Sequence, residues 1–188
     1  MDTGYFETFN RSNVSLVDCS KGIERIVPEG LVVEDAVHEL DCIVFATGFD
    51  AITGALKEID IRGRNSTKLS AKWALGPATY LGLQSAGFPN LFTISGPGSP
   101  SVLTNMVPTI EQHVNWIADA LGHMREQKFL TIETIEEVEK PWMDKVRQLA
   151  ESTLWGQCDN WYVGANVPGK PRTFPIYVDW VSYLDKCD

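Results

Sequence analysis

The hexapeptide Gly96-Pro-Gly-Ser-Pro-Ser101 comes closest, by residue type and spacing, to a chemical device in this chain. An apolar run, Asn90-Leu-Phe-Thr-Ile-Ser95, enters it. An amphipathic run leaves it, with Val107, Ile110, Val114, Ile117, Leu121 and Met124 at three- and four-residue steps. That order predicts a buried strand, a glycine loop and a helix that begins within 101–105 and tolerates Pro108 in its first turns. The first turn of a helix leaves N–H groups unpaired, and its macrodipole places about half a positive charge there. Such a corner suits an anionic or carbonyl-like ligand atom near the amides of Asn105 and Met106. The same residues also suit a rigid turn capped by Ser99, Ser101 or Thr104, with Met106 in the core. The loop lacks the third glycine of a dinucleotide fingerprint and the Gly-Lys-Ser/Thr of a phosphate loop.

A second strand-then-glycine corner is Ala46-Thr-Gly-Phe-Asp50, after the apolar stretch Cys42–Ala46. A small residue, a hydroxyl and a glycine at a strand's carboxyl end allow close approach to a ligand at Thr47 and Gly48, or simply end the strand. The tail Asn160-Trp-Tyr-Val-Gly-Ala-Asn-Val-Pro-Gly-Lys170 holds Trp161, an aromatic suited to stacking on a cofactor or to covering the core. No G-x-S-x-G elbow supports a serine hydrolase. Glu136, Glu137 and Glu139 read as the solvated start of a helix, and carboxylate counts give no glycosidase pair.

The elements that must position these residues are mixed. Short strands are predicted at 13–18 and in a hairpin over 24–35 with Pro28–Gly30 at its turn. Buried strands are predicted at 42–46 and 90–95, with a short strand and turn within 59–66. Lys72-Trp73 and 78–82 predict aromatic side chains packed beneath an irregular excursion. A second helix is predicted over 140–153, with Trp142, Val146 and Leu149 on one face and Pro141 in its first turn. The last strand is predicted at 173–179, restricted by Pro175 to an edge or bend.

The chain has 188 residues, 44% of them hydrophobic, enough for one domain or parts of two. Its net charge of −9 argues against nucleic acid or an anionic membrane as partner. No apolar run approaches the ~20 residues that span a bilayer. Cys19, Cys42, Cys158 and Cys187 are widely spaced, and His38, His113 and His123 share no ligand spacing, so neither a metal centre nor a disulfide framework is expected. Cys42 reads as a small core residue. The cytoplasm is the expected setting.

Several stretches together resemble the C-terminal third of the type I Baeyer–Villiger monooxygenases, the phenylacetone and cyclohexanone monooxygenase flavoproteins. They are Gly4-Tyr-Phe-Glu-Thr-Phe-Asn10, Asn13–Asp18, Ile43-Val-Phe-Ala-Thr-Gly-Phe-Asp-Ala51, Ile59–Gly63, Tyr80-Leu-Gly82, Phe88-Pro-Asn-Leu-Phe92, Gly96–Ser101, Ser152-Thr-Leu154 and Gly164-Ala-Asn-Val-Pro-Gly-Lys170. The resemblance runs to about Tyr177. Ala-Thr-Gly is common among two-dinucleotide flavoproteins, whereas the Gly164–Lys170 run is much more specific.

The resemblance implies an α/β fold made of remnants of two Rossmann-like domains, with residues 1–40 ending an NADP-binding domain and 41–188 forming the C-terminal part of an FAD-binding domain. It implies FAD, NADPH and O2 chemistry on a ketone, yielding an ester or lactone. By carry-over Met106, with Asn105 beside it, contacts FAD, and Trp161 contacts NADP. Ser101, Val102 and Leu103 form the substrate-side bulge, and Thr47 and Gly48 lie where the dinucleotide domains join. The family's two glycine fingerprints, its F-x-G-x-x-x-H-x-x-x-W-P signature and its catalytic arginine have no counterpart here, and Asp179-Trp180 replaces a glycine pair. The expectation is a segment inactive alone. The alternative is a non-catalytic interaction module without bound flavin that associates through exposed apolar surface.

Overall fold

The computed structural model describes residues 3–187 and divides into two compact units, Met1–Ala46 and Thr47–Asp188. The first unit holds α1 (Tyr5–Thr8) and a meander of β1 (Arg25–Val27), β2 (Gly30–Val33) and β3 (Ala36–Glu39), antiparallel in the order β1-β2-β3. Arg25 faces Val32 across one ladder and Leu31 faces His38 across the other. The hairpin turns at Pro28-Glu29, as its residues predict, and β3 is a strand the sequence reading did not separate. Val32 and Val33 on the central strand are buried.

The second unit is mainly helical. It carries α2 (Gly54–Glu58), α3 (Leu69–Lys72), α4 (Met106–Gln127), α5 (Glu136–Glu151) and α6 (Trp180–Cys187), with single 3-10 turns between them. Its largest core cluster joins Leu81 and Leu83 to Trp142 and Val146 of α5, Tyr177, and Tyr183 of α6. Trp142 stacks on Tyr177 at 4.8 Å and 10°. Rings of this size carry most of the burial energy, and each offset pair adds about 1 kcal/mol beyond its area. A second cluster gathers Leu69, Trp73 and Phe88, so the aromatic packing predicted near 72–82 is present.

Four expected strands are absent. Residues 13–18, 42–46, 90–95 and 173–179 are irregular or extended without a sheet. A strand needs a lateral partner for its N–H and C=O groups, and among the described residues none offers these segments a ladder. Cys42, expected in the core, is exposed, as are Val44 and Phe45 at 84% and 71%. Residues 59–66 hold only the isolated Arg62–Lys68 bridge and a 3-10 turn.

Both long helices exist with shifted limits. α5 begins four residues earlier than predicted, so Pro141 falls in its second turn. In α4 the packed face is Thr109, His113 and Met124, with Trp116 and Ile117 half-buried. Of the apolar stripe read from the sequence, Ile117 and Met124 pack inward, whereas Val107, Ile110, Val114 and Leu121 lie about a quarter turn away and are 59%, 38%, 45% and 50% exposed. No helix is long and apolar enough to cross a membrane, and no group of three or more His, Cys, Asp or Glu could hold a metal ion, among the described residues.

Candidate cofactor and substrate site

The glycine loop is held from three sides. Residues 96–101 are all buried. Gly98 N–H donates to Pro175 O at 2.7 Å, Tyr177 N–H to Ser99 O at 2.9 Å, and Trp142 Nε1–H of α5 to Gly98 O at 3.1 Å. The Thr79 hydroxyl donates to Pro97 O. The stretch read as a final strand thus works as a brace for the loop. Two glycines are required by geometry. A Cβ on Gly82, at φ +69, would lie 2.7 Å from Ser99 N, and one on Gly98, at φ +91, would lie 2.8 Å from Thr79 Oγ1.

Beyond the loop, Ser101–Leu103 make one 3-10 turn and α4 follows. Neither Ser99, Ser101 nor Thr104 caps that helix. Asn105 does, its Oδ1 accepting from Val107 N–H at 3.1 Å. Pro108 has no N–H to satisfy, and among the described residues the amides of Asn105 and Met106 have no hydrogen-bond partner at the helix mouth. Ser101 is buried at φ +43, and its hydroxyl lies 3.9 Å from Met106 Sδ. Val102 and Met106 are exposed at 38% and 36%. Leu103 turns inward.

Leu103 packs on the cluster Ala150, Val163, Phe174 and Ile176, and so do Ile52, Tyr162 and Ala165. Three stretches distant in sequence therefore meet over one patch of core: the end of the 46–52 corner, the 101–103 turn and the tail loop. Thr47 and Gly48 are exposed. The tail holds their loop directly, since Asn166 Nδ2–H donates to Phe49 O at 2.9 Å and to Thr47 O at 3.4 Å. Lys170 pairs with the Asp50 carboxylate and donates to Ala51 O at 3.1 Å. Trp161 is 47% exposed and stacks on Tyr162 at 4.1 Å, so it leaves one face open rather than covering the core.

A polar relay that sequence reasoning missed lies behind the loop. His113 is fully buried. Its Nδ1 accepts from Ser95 N–H at 2.9 Å, and its Nε2 lies 2.6 Å from Tyr183 Oη. The Tyr183 hydroxyl donates to Leu81 O at 2.7 Å, so Nε2 carries the imidazole proton. Burial pushes His113 down to about 4 and raises the Tyr183 phenol. Beside it, Ser95 Oγ and Gln112 Oε1 are buried without a hydrogen-bond partner. The only sequence signal was a histidine one position off the apolar stripe. Glu139, expected in solvent, is also buried. It pairs with Lys72 at 2.7 Å and accepts from Ala86 N–H at 2.8 Å.

These residues fit one edge of a flavin. The amides of Asn105 and Met106, without hydrogen-bond partners among the described residues, and the part-exposed apolar surface of Met106 suit a flat apolar ring with an electron-rich rim. A diphosphate finds no glycine fingerprint in the chain.

No family model matches the chain. It is 42% identical over 98% of its length to the acetone monooxygenase (methyl acetate-forming) of Gordonia sp. (strain TY-5), and 39% over 93% to a Baeyer–Villiger monooxygenase of Pseudooceanicola batsensis. Its fold matches the cyclohexanone monooxygenase of Rhodococcus sp. Phi1 bound to NADP+, with a TM-score of 0.90 at 39% identity over 99% of the chain. It also matches the OTEMO complex with FAD and NADP, with a TM-score of 0.87 at 39% identity over the whole chain. The chain is homologous to the C-terminal third of the Baeyer–Villiger monooxygenases. It spans about a third of the length of these relatives, 36% and 32% of the two sequences and 35% of each structure.

Proposed function

We propose that this chain supplies the C-terminal wall of the cofactor and ketone site of a Baeyer–Villiger monooxygenase, an enzyme that inserts an oxygen atom from O2 next to a ketone carbonyl. Residues 1–40 are taken as the end of an NADP-binding domain and 41–188 as part of the FAD-binding domain. The division between Ala46 and Thr47 lies close to that boundary. FAD, when bound, supplies the redox and oxygen chemistry. The chain's own residues orient and shield. The amides of Asn105 and Met106 offer positive partial charge to an electron-rich ring edge. Ser101, Val102 and Leu103 shape the ketone's space, Leu103 anchored in the core and Val102 open to the ligand. Thr47 and Gly48 form the corner between domains, and Trp161 offers its free face to NADP.

The observation that carries this reading is the convergence of Ile52, Leu103, Tyr162 and Ala165 on one cluster beside an open helix mouth. In this reading the segment is inactive alone, and no catalytic residue is assigned in it. The test is reconstitution in trans. The purified chain is expected to be colourless and to oxidise no NADPH with a ketone. Co-expressed with the amino-terminal two thirds of a cyclohexanone monooxygenase, it is expected to yield a yellow complex with ketone-dependent turnover. Turnover by the chain alone would overturn the inactivity, and a pair that stays colourless would overturn the wall. The exposed apolar stripe of α4 favours a second reading, an interaction module without flavin. A colourless chain that self-associates and restores nothing would support it.

A further inference from the structure

The glycine loop begins at Ser95, a non-glycine residue at φ +52, in the left-handed region that side chains with a Cβ disfavour. Its amide hydrogen goes to no backbone carbonyl. It goes to His113 Nδ1, on the packed face of α4. That ring is oriented in turn, because Tyr183 of α6 accepts from Nε2–H and donates to Leu81 O. One imidazole therefore ties together the first residue of the loop, the helix that closes it, the last helix of the chain and the turn at 80–84.

We infer that His113 is a positioning residue, holding Ser95 and with it the glycine loop in register with the mouth of α4, and that Tyr183 is the residue that keeps its ring in the one tautomer able to do so. The imidazole can accept at Nδ1 only while its proton is on Nε2. The Tyr183 hydroxyl, committed as donor to Leu81 O, accepts that proton's hydrogen bond and keeps it there. The consequence for ketone oxidation rests on the loop being a wall of the cofactor site, but the device itself needs no cofactor to be observed.

Two substitutions separate the ring's two contacts. His113→Asn keeps an acceptor near the Nδ1 position and gives up the reach to Tyr183. His113→Gln keeps a donor near Nε2 and gives up the acceptor for Ser95. Amide hydrogen exchange on the purified chain, read at Ser95, Gly96, Gly98 and Ser99 against Val146 and Ala150 of α5, removes any general loss of stability. His113→Gln is expected to quicken the loop amides selectively, by roughly tenfold for one lost buried hydrogen bond. His113→Asn is expected to leave them near the wild-type rate. Equal quickening in both variants, or none in His113→Gln, would overturn the inference. Nitrogen NMR of the wild-type imidazole is expected to find the proton on Nε2, and a proton on Nδ1 would overturn it as well. If His113→Gln does not fold, Tyr183→Phe serves in its place. It is expected to move part of the proton to Nδ1 and to quicken the loop, and an unchanged tautomer and loop would count against the device. These readouts need no flavin, so a failure here is distinguishable from a failure of reconstitution in trans.

Discussion

His113 makes the stability of the second unit depend on acid. Folded, its imidazole stays neutral down to about pH 4, while in the unfolded chain it takes a proton near 6.5. Between those values the unfolded state binds the extra proton, so stability falls as the pH falls. The contribution is complete above pH 6.5 and is lost on approach to 4, at a limiting slope of about 1.4 kcal/mol per pH unit. Urea unfolding at pH 7.0, 5.5 and 4.5 is expected to trace that decline, and His113→Gln to flatten it. Lys72 and Glu139 give a different kind of dependence. Their ion pair is buried, and each partner also binds the backbone at Ala86. Glu139→Gln strands a buried ammonium and is expected to cost about 3 kcal/mol in urea unfolding, whereas the double replacement Lys72→Met with Glu139→Leu is expected to cost much less. A double mutant as unstable as the single one would remove charge desolvation as the reason.

At the scale of elements, α4 is the piece on which the site turns. Its start depends on Asn105, because Val107 N–H has no other partner and Pro108 offers no donor. Asn105→Ala is expected to lower stability by about 1 kcal/mol and to fray the helix mouth, read as faster exchange at Val107 while the end of the helix near Met124 is unchanged. The tail loop has an equivalent role for the 46–52 corner. Lys170→Met removes the ion pair to Asp50 and the bond to Ala51. Limited proteolysis with chymotrypsin is expected to cut after Phe49, which is 87% exposed, several times faster in that variant. The braces that the 173–179 stretch gives the glycine loop are backbone bonds, Gly98 N–H to Pro175 O and Tyr177 N–H to Ser99 O, and they should hold in both variants.

Over the whole molecule, many large apolar side chains are exposed, and α4 aligns several of them along one face. Val107, Ile110, Val114 and Leu121 form a stripe along one helix that stays 38% to 59% exposed. Such a surface drives association. Size-exclusion chromatography is expected to show the wild-type chain larger than a 20.9 kDa monomer, and Ile110→Lys with Val114→Lys to return it toward monomer without unfolding it, since neither side chain is in the core.

Local chemistry was legible in the residues. The hairpin turn at Pro28, the glycine loop, both long helices and the aromatic packing around Trp73 follow from turn residues, helical spacing and hydrophobicity, which are properties of short stretches. The strand at 42–46 read equally clearly and is not there, because a strand is completed by a neighbour. The stripe on α4 packs at Ile117 and Met124 but stays open at Val107, Ile110, Val114 and Leu121 for the same reason: which face packs depends on what lies opposite. The roles of His113, Glu139, Asn166 and Lys170 were hidden because each acts on a residue 18 to 120 positions away. Sequence by itself determined the turns, the helix periodicity and the family likeness, since those are written in residue types and their order. Tertiary structure alone decided that Leu103, Ile52 and Ala165 meet, that Ser95 is held by a histidine, and that one apolar face is left open, because hydrogen bonds and packing join residues by distance in space rather than along the chain.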